Sequence, residues 1–101
     1  MLQLRPNCEL CDKDLPPTAD DAMICTYECT FCCDCVDVLS NVCPNCGGGF
    51  CNRPIRPLTA WRPGVSLSHQ PASQIRVAAN FTLDALQDHI EKIKNIAPKD
   101  R

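Results

Sequence analysis

The chain has 101 residues, ten of them cysteine and only five aromatic, and no run approaches the roughly 18 apolar residues of a membrane span. A chain so short and so poor in large side chains cannot build a self-sufficient core, so a metal or covalent staple is expected. Its net charge of −2 hides an acidic half (residues 1–51, net −6) that would repel phosphate backbones and excludes a nucleic-acid role, and a basic half (52–101, net +4).

The first region, residues 1–52, holds every cysteine. Cys8, Cys11, Cys25, Cys29, Cys32, Cys35, Cys43 and Cys46 read as C-x2-C, thirteen residues, C-x3-C-x2-C-x2-C, seven residues, C-x2-C. A C-x2-C pair sets two thiolates on a tight knuckle, both within reach of one tetrahedral zinc at about 2.3 Å, and two such pairs close a structural site. Eight cysteines in four pairs therefore predict two Zn2+ sites. Spacing alone permits a sequential pairing (Cys8, Cys11, Cys25, Cys29, then the other four). It equally permits an interleaved one (Cys8, Cys11, Cys32, Cys35, then Cys25, Cys29, Cys43, Cys46). Cys33 is expected to be a small buried apolar residue and Cys51 a free thiol. With eight thiolates in place no histidine is needed, so His69 and His89 are expected at the surface.

The second region, residues 53–79, is a linker rich in proline and arginine: Arg53-Pro54-Ile55-Arg56-Pro57, Arg62-Pro63-Gly64, Gln70-Pro71. Such proline spacing discourages helix and removes ladder donors, which predicts extended chain, with a short strand over 74–79. The third region, 80–97, predicts an amphipathic helix. Thr82 caps it, Phe81 and Leu86 form a staple, and Leu83, Leu86, Ile90, Ile93 and Ala97 make one apolar face ended by Pro98. At about 14 residues such a helix is marginal alone in water. It must pack on the cysteine module, on a second copy as a homodimer seam, or on a partner.

The ligand order resembles a RING finger over residues 7–47. Leu10 stands before Cys11, where that family often has Ile or Leu. Cys29-Thr30-Phe31-Cys32 is similar to its H-x-F-C with cysteine for histidine, and Cys43-Pro44-Asn45-Cys46 to its C-P-x-C. The resemblance implies interleaved, cross-brace sites: Cys8, Cys11, Cys32 and Cys35 at the first, Cys25, Cys29, Cys43 and Cys46 at the second. It implies a small metal-stabilised α+β fold of RING-like or treble-clef type, with a hairpin near 22–31 and a helix near 33–40. Leu10, Met23, Ile24, Phe31, Val36, Leu39 and Val42 would form its core. Two departures separate the chain from ubiquitin ligases of that family. All eight ligands are cysteine, and Gly47 follows Cys46 where many ligases carry a basic or polar residue.

A closer resemblance covers about residues 1–57. Leu2-Gln3-Leu4-Arg5-Pro6-Asn7-Cys8-Glu9, Asp14-Leu15-Pro16-Pro17, Ala22 through Cys32, and Cys43 through Gly48 look like a family of short, uncharacterised bacterial cysteine-rich proteins. That resemblance implies a bacterial, cytoplasmic, zinc-binding module. The opening segment, which lacks the marks of a secretory signal, sets the same expectation of a reducing compartment.

The same thiols suit other chemistry. Cys29-Thr30-Phe31-Cys32-Cys33-Asp34-Cys35 contains a C-x2-C-x2-C run similar to that of ferredoxins, with Cys43-Pro44 as a distant fourth ligand, so an iron–sulfur or thiol redox protein is the rival. A phosphate-binding loop, a nucleophile elbow and an H-E-x-x-H motif are all missing, and four-thiolate zinc is a poor Lewis acid. The sequence thus predicts a non-catalytic, zinc-stabilised adaptor with a basic protein as partner and no membrane. A ligase-like activity is the third option.

Overall fold

The structure, a computed structural model, describes residues 1–101. It is a small α+β fold in which β1 (Ala22–Ile24), β2 (Thr30–Cys32) and β3 (Cys51–Asn52) form an antiparallel sheet of order β2-β1-β3. The register sets Ala22 opposite Cys32 and Ile24 opposite both Thr30 and Cys51. The β1–β2 turn is closed by Glu28, which enters the left-handed region at φ 67°, with its N–H donated to the Cys25 carbonyl at 3.0 Å.

Helix α1 (Cys33–Val38) follows β2 without a loop, so Cys32 and Cys35 fall on adjacent elements one turn apart. The helix ends where Ser40 and Asn41 turn left-handed, and the Asn41 N–H reaches back to the Val36 carbonyl at 3.1 Å. Such a closure satisfies carbonyls that a helix end would otherwise leave open. The hairpin and α1 match the expected elements closely, α1 stopping two residues early.

The core differs from expectation in its members. Leu4, Leu15, Phe31, Leu39 and Val42 are fully buried, and Phe31 meets Phe50 edge-on at 5.3 Å. Leu10, expected inside, is 36 % exposed, because residue 10 lies at the tip of the first knuckle. Leu4 and Leu15 replace it, brought together by the pairing of Asn7 with Asp14 and by the Leu15 N–H donated to the Pro6 carbonyl. Cys33 is likewise exposed rather than buried, since the first turn of α1 points it to solvent.

Helix α2 (Leu83–Ile93) begins at Thr82, whose hydroxyl accepts the Ala85 N–H at 3.2 Å. Its apolar face is turned onto the cysteine-rich module: Ile90 is buried, and Leu86 and Ile93 pack beside it. Leu83 stays exposed and Phe81 half so, because the face rotates away from the core before the first turn. The helix stops at Ile93 instead of reaching Ala97. Ala97 precedes Pro98 and is extended at ψ 141°, as proline demands of its neighbour, and a 3-10 turn (Pro98–Asp100) follows.

The expected strand over 74–79 does not form. The Asn7 side chain instead occupies both backbone groups of Val77, donating to its carbonyl at 2.8 Å and accepting its N–H at 3.1 Å. One buried amide does what a neighbouring strand would have done. The arginines of the linker region hold the rest in place. Arg53, 4 % exposed, donates to the carbonyls of Arg5, Leu15 and Pro16 at 2.8, 3.2 and 2.9 Å. Arg56 bonds the carbonyls of Leu2 and Gln70, and Arg76 pairs with Asp12 and Asp14 at 2.9 and 2.7 Å. No helix of the chain is long and apolar enough to cross a membrane.

Candidate metal centres

Two knuckles with the same backbone shape supply half of the thiols. In the first, the Asp12 N–H bonds the Cys8 carbonyl at 2.9 Å; in the second, the Gly47 N–H bonds the Cys43 carbonyl at 2.8 Å. The residue after the second cysteine is left-handed in both, Asp12 at φ 65° and Gly47 at φ 79°. Glycine has a further reason at 47, where a Cβ would come within 3.2 Å of the Ile93 side chain. Gly47 is thus explained by the turn and by the docking of α2.

The sulfurs of Cys8, Cys11, Cys32 and Cys35 lie within 4.8 Å of one another. They come from the first knuckle, the end of β2 and α1. Cys11 and Cys32 approach to 3.7 Å between sulfurs. Tetrahedral zinc with 2.3 Å bonds requires an S···S edge of about 3.8 Å, so this donor set fits such an ion. Cys25, Cys43 and Cys46 form a second group under the same 4.8 Å limit. Cys29 is not gathered as tightly into it, although its thiol neighbours Cys25 and Asn45. Backbone N–H groups aim at two of these sulfurs, Tyr27 at Cys25 (3.3 Å) and Gly48 at Cys46 (3.4 Å). Such bonds favour thiolate over thiol.

Burial works the other way, pushing the Cys35 and Cys43 thiols well above their ordinary range and raising Cys32 and Cys29. Cys11, more open and facing the Lys13 backbone, is lowered. Without metal, therefore, the buried members hold protons that an ion must displace on binding. Soft, all-sulfur donor sets of this kind suit zinc and iron, and disfavour magnesium or calcium.

The other expected residues fall as follows. Cys51 is exposed in β3, outside both groups. His69 lies at the surface, with Nδ1 at 2.8 Å from the Ser66 hydroxyl. His89 departs from expectation: it is half-buried where α2 meets the module, with Nε2 at 2.9 Å from the Cys43 carbonyl. It supports the second group through a ligand's backbone and is not among the gathered donors.

One residue near the thiols carries no motif. Glu9, inside the first knuckle, is 3 % exposed and bonds Arg5 at 2.9 Å, the Thr30 N–H at 2.5 Å and the Asn45 amide at 3.4 Å. In the sequence it reads only as one acid among eight in the first half. The signal that could have marked it is the acid's place between two knuckle cysteines, four residues after Arg5.

The model of the family described as "Protein of unknown function (DUF1272)" matches residues 1–56, which include all ten cysteines. The chain is 55 % identical over 78 residues to the "Uncharacterized protein R02474" of Rhizobium meliloti (strain 1021). That alignment covers 76 % of this chain and 86 % of the relative, so similarity extends past the cysteine-rich module. No solved structure matches the chain.

Proposed function

The chain belongs to that family of unknown function, and from this premise we propose that it is a zinc-stabilised, non-catalytic protein-interaction adaptor of the bacterial cytoplasm. Two Zn2+ ions would sit in RING-like, cross-brace sites, one on Cys8, Cys11, Cys32 and Cys35, the other on Cys25, Cys29, Cys43 and Cys46. The observation that carries the metal reading is the gathering of thiols from both ends of the module around its centre. The ions would knit the small sheet, α1 and both knuckles into one unit. Closed four-thiolate sites have no open position for substrate, which favours a structural role over catalysis.

Two surfaces support an interaction role. On α1, Val38 is 71 % exposed beside the acidic Asp34 and Asp37, a face suited to a basic partner. On the opposite side of the charge balance, residues 57–67 form a loop pinned at its base by the Leu67 N–H on the Pro57 carbonyl at 2.9 Å. Its tip presents Leu58, Trp61 and Val65 to solvent, with Trp61 79 % exposed. An ordered loop that spends a tryptophan on water is a feature of binding surfaces more than of packing.

The test is photo-crosslinking in cells of the native bacterium, from p-benzoylphenylalanine placed by Val38→Bpa or Trp61→Bpa substitution. A discrete adduct from either position, lost when the module is unfolded by Cys32→Ser, is the expected result. Irradiation that yields no adduct from either position contradicts the adaptor reading.

A further inference from the structure

The buried carboxylate of Glu9 lies where three ligand-bearing segments meet. Its own backbone belongs to the first knuckle, between Cys8 and Cys11, and its N–H is donated to the Thr30 carbonyl at 2.9 Å. Its carboxylate accepts the Thr30 N–H at 2.5 Å, so Glu9 holds both backbone groups of the residue that follows Cys29. The other carboxylate oxygen accepts the amide of Asn45, which sits between Cys43 and Cys46. Arg5 closes the set with its 2.9 Å ion pair, the Glu9 side chain being only 2 % exposed.

We infer that Glu9, with Arg5 and Asn45, is the positioning group of the second metal site, holding Cys29 and the Cys43–Cys46 knuckle in place from the knuckle of the first. The inference rests on the metal reading above. Arg5 and Asn45 both neighbour the Cys29 thiol, and so place hydrogen-bond donors beside the one sulfur that is least tightly gathered. Buried carboxylates are expensive unless paired, and this one is fully partnered by groups that each border a ligand of the second site. Outer-sphere donors of this kind orient thiolates and offset the negative charge of a four-sulfur centre; their loss typically weakens metal binding about 10- to 100-fold. At the first site the dependence is expected to be smaller, since Cys32 and Cys35 are also set by the β1–β2 pairing and by α1.

The experiment is anaerobic Co2+ titration of the full chain, read by the thiolate-to-metal charge-transfer and d–d bands, with circular dichroism alongside. Wild type, Glu9→Gln, Arg5→Met, Arg5→Lys and Asn45→Ala are compared, and Cys46→His, which keeps a metal ligand at that position, identifies the bands of the second site by their shift. The expected result is that Glu9→Gln leaves one cobalt unchanged and weakens, by about 10- to 100-fold, the one whose bands Cys46→His shifts. Arg5→Met and Asn45→Ala shift the same bands, and Arg5→Lys restores part of the loss by keeping a cation beside Glu9 and Cys29. If Glu9→Gln fails to fold, the Arg5 and Asn45 variants carry the comparison. Two cobalt ions bound as in wild type by these variants, or equal weakening of both, overturns the positioning role and leaves the metal reading intact. A wild-type chain that binds no cobalt overturns both.

Discussion

Replacing Cys11 or Cys32 by serine is expected to unfold residues 1–52, whereas Cys33→Ser and Cys51→Ser are expected to leave the far-ultraviolet circular dichroism and the metal content unchanged. The contrast follows from placement. Cys11 and Cys32 face each other across 3.7 Å within a group of four, while Cys33 and Cys51 are exposed and belong to neither group. A structural zinc held by such a group would contribute on the order of 10 kcal/mol to folding, comparable to the whole stability of an ordinary domain. Removing one of four ligands forfeits most of that. The apolar core cannot compensate: beyond its cysteines it consists of Leu4, Leu15, Ala22, Phe31, Val36, Leu39, Val42 and Ile90. Circular dichroism and metal analysis of the four variants decide the matter, and identical results for all four would dismiss the assignment.

The second large effect concerns Arg53. Its guanidinium is buried, donates to three main-chain carbonyls from two separate segments, and has no carboxylate in contact. Burial lowers its pKa, and the nearby Asp21 opposes that shift. Arg53→Met leaves the carbonyls of Arg5 and Leu15 without these donors and that of Pro16 with the Ala19 N–H alone. Hydrogen bonds from charged groups are worth about 1.5–3 kcal/mol each, so the expected cost is about 3–5 kcal/mol after local rearrangement. Arg53→Lys recovers less than half of this, because a single ammonium cannot span three acceptors set for a planar fork. Urea unfolding of metal-loaded protein measures it. A change within about 0.5 kcal/mol would place Arg53 among ordinary surface residues.

What could be read from the sequence was local. The spacing of the cysteines announced two thiol groups that could hold metal, because a knuckle is a four-residue affair, although Cys29 stays outside the tighter part of the second; Thr82 with its apolar face announced α2 for the same reason. The hairpin and α1 were expected only through the fold that the RING-like resemblance implies. What could not be read depends on contacts across the chain. Asn7 reaches Val77 seventy residues away and turns an expected strand into a docked extended segment. Arg53 reaches Arg5 across forty-eight residues, so a stretch that looked like a free linker is tied to the module. Glu9 looked like solvent-facing charge because nothing in its neighbourhood names Thr30 or Asn45 as partners. His89 looked like a surface residue because nothing local chose among the surfaces α2 could cover, or named the second knuckle as its neighbour.

The docking of α2 also bears on assembly. Leu86, Ile90 and Ile93 already lie against the module of the same chain. Detaching them to form a seam with a second copy would expose Ile90 and the core beneath it. Exposed apolar groups that remain open to a partner include those at the tip of the 57–67 loop and Val38 on the outer face of α1.

The most direct test of the account is elemental analysis of freshly purified, untagged protein, counting zinc and iron per chain beside a visible spectrum. Two zinc ions per chain and no colour is the result predicted by the paired thiol groups. Iron with acid-labile sulfide, or a single metal per chain, would contradict it.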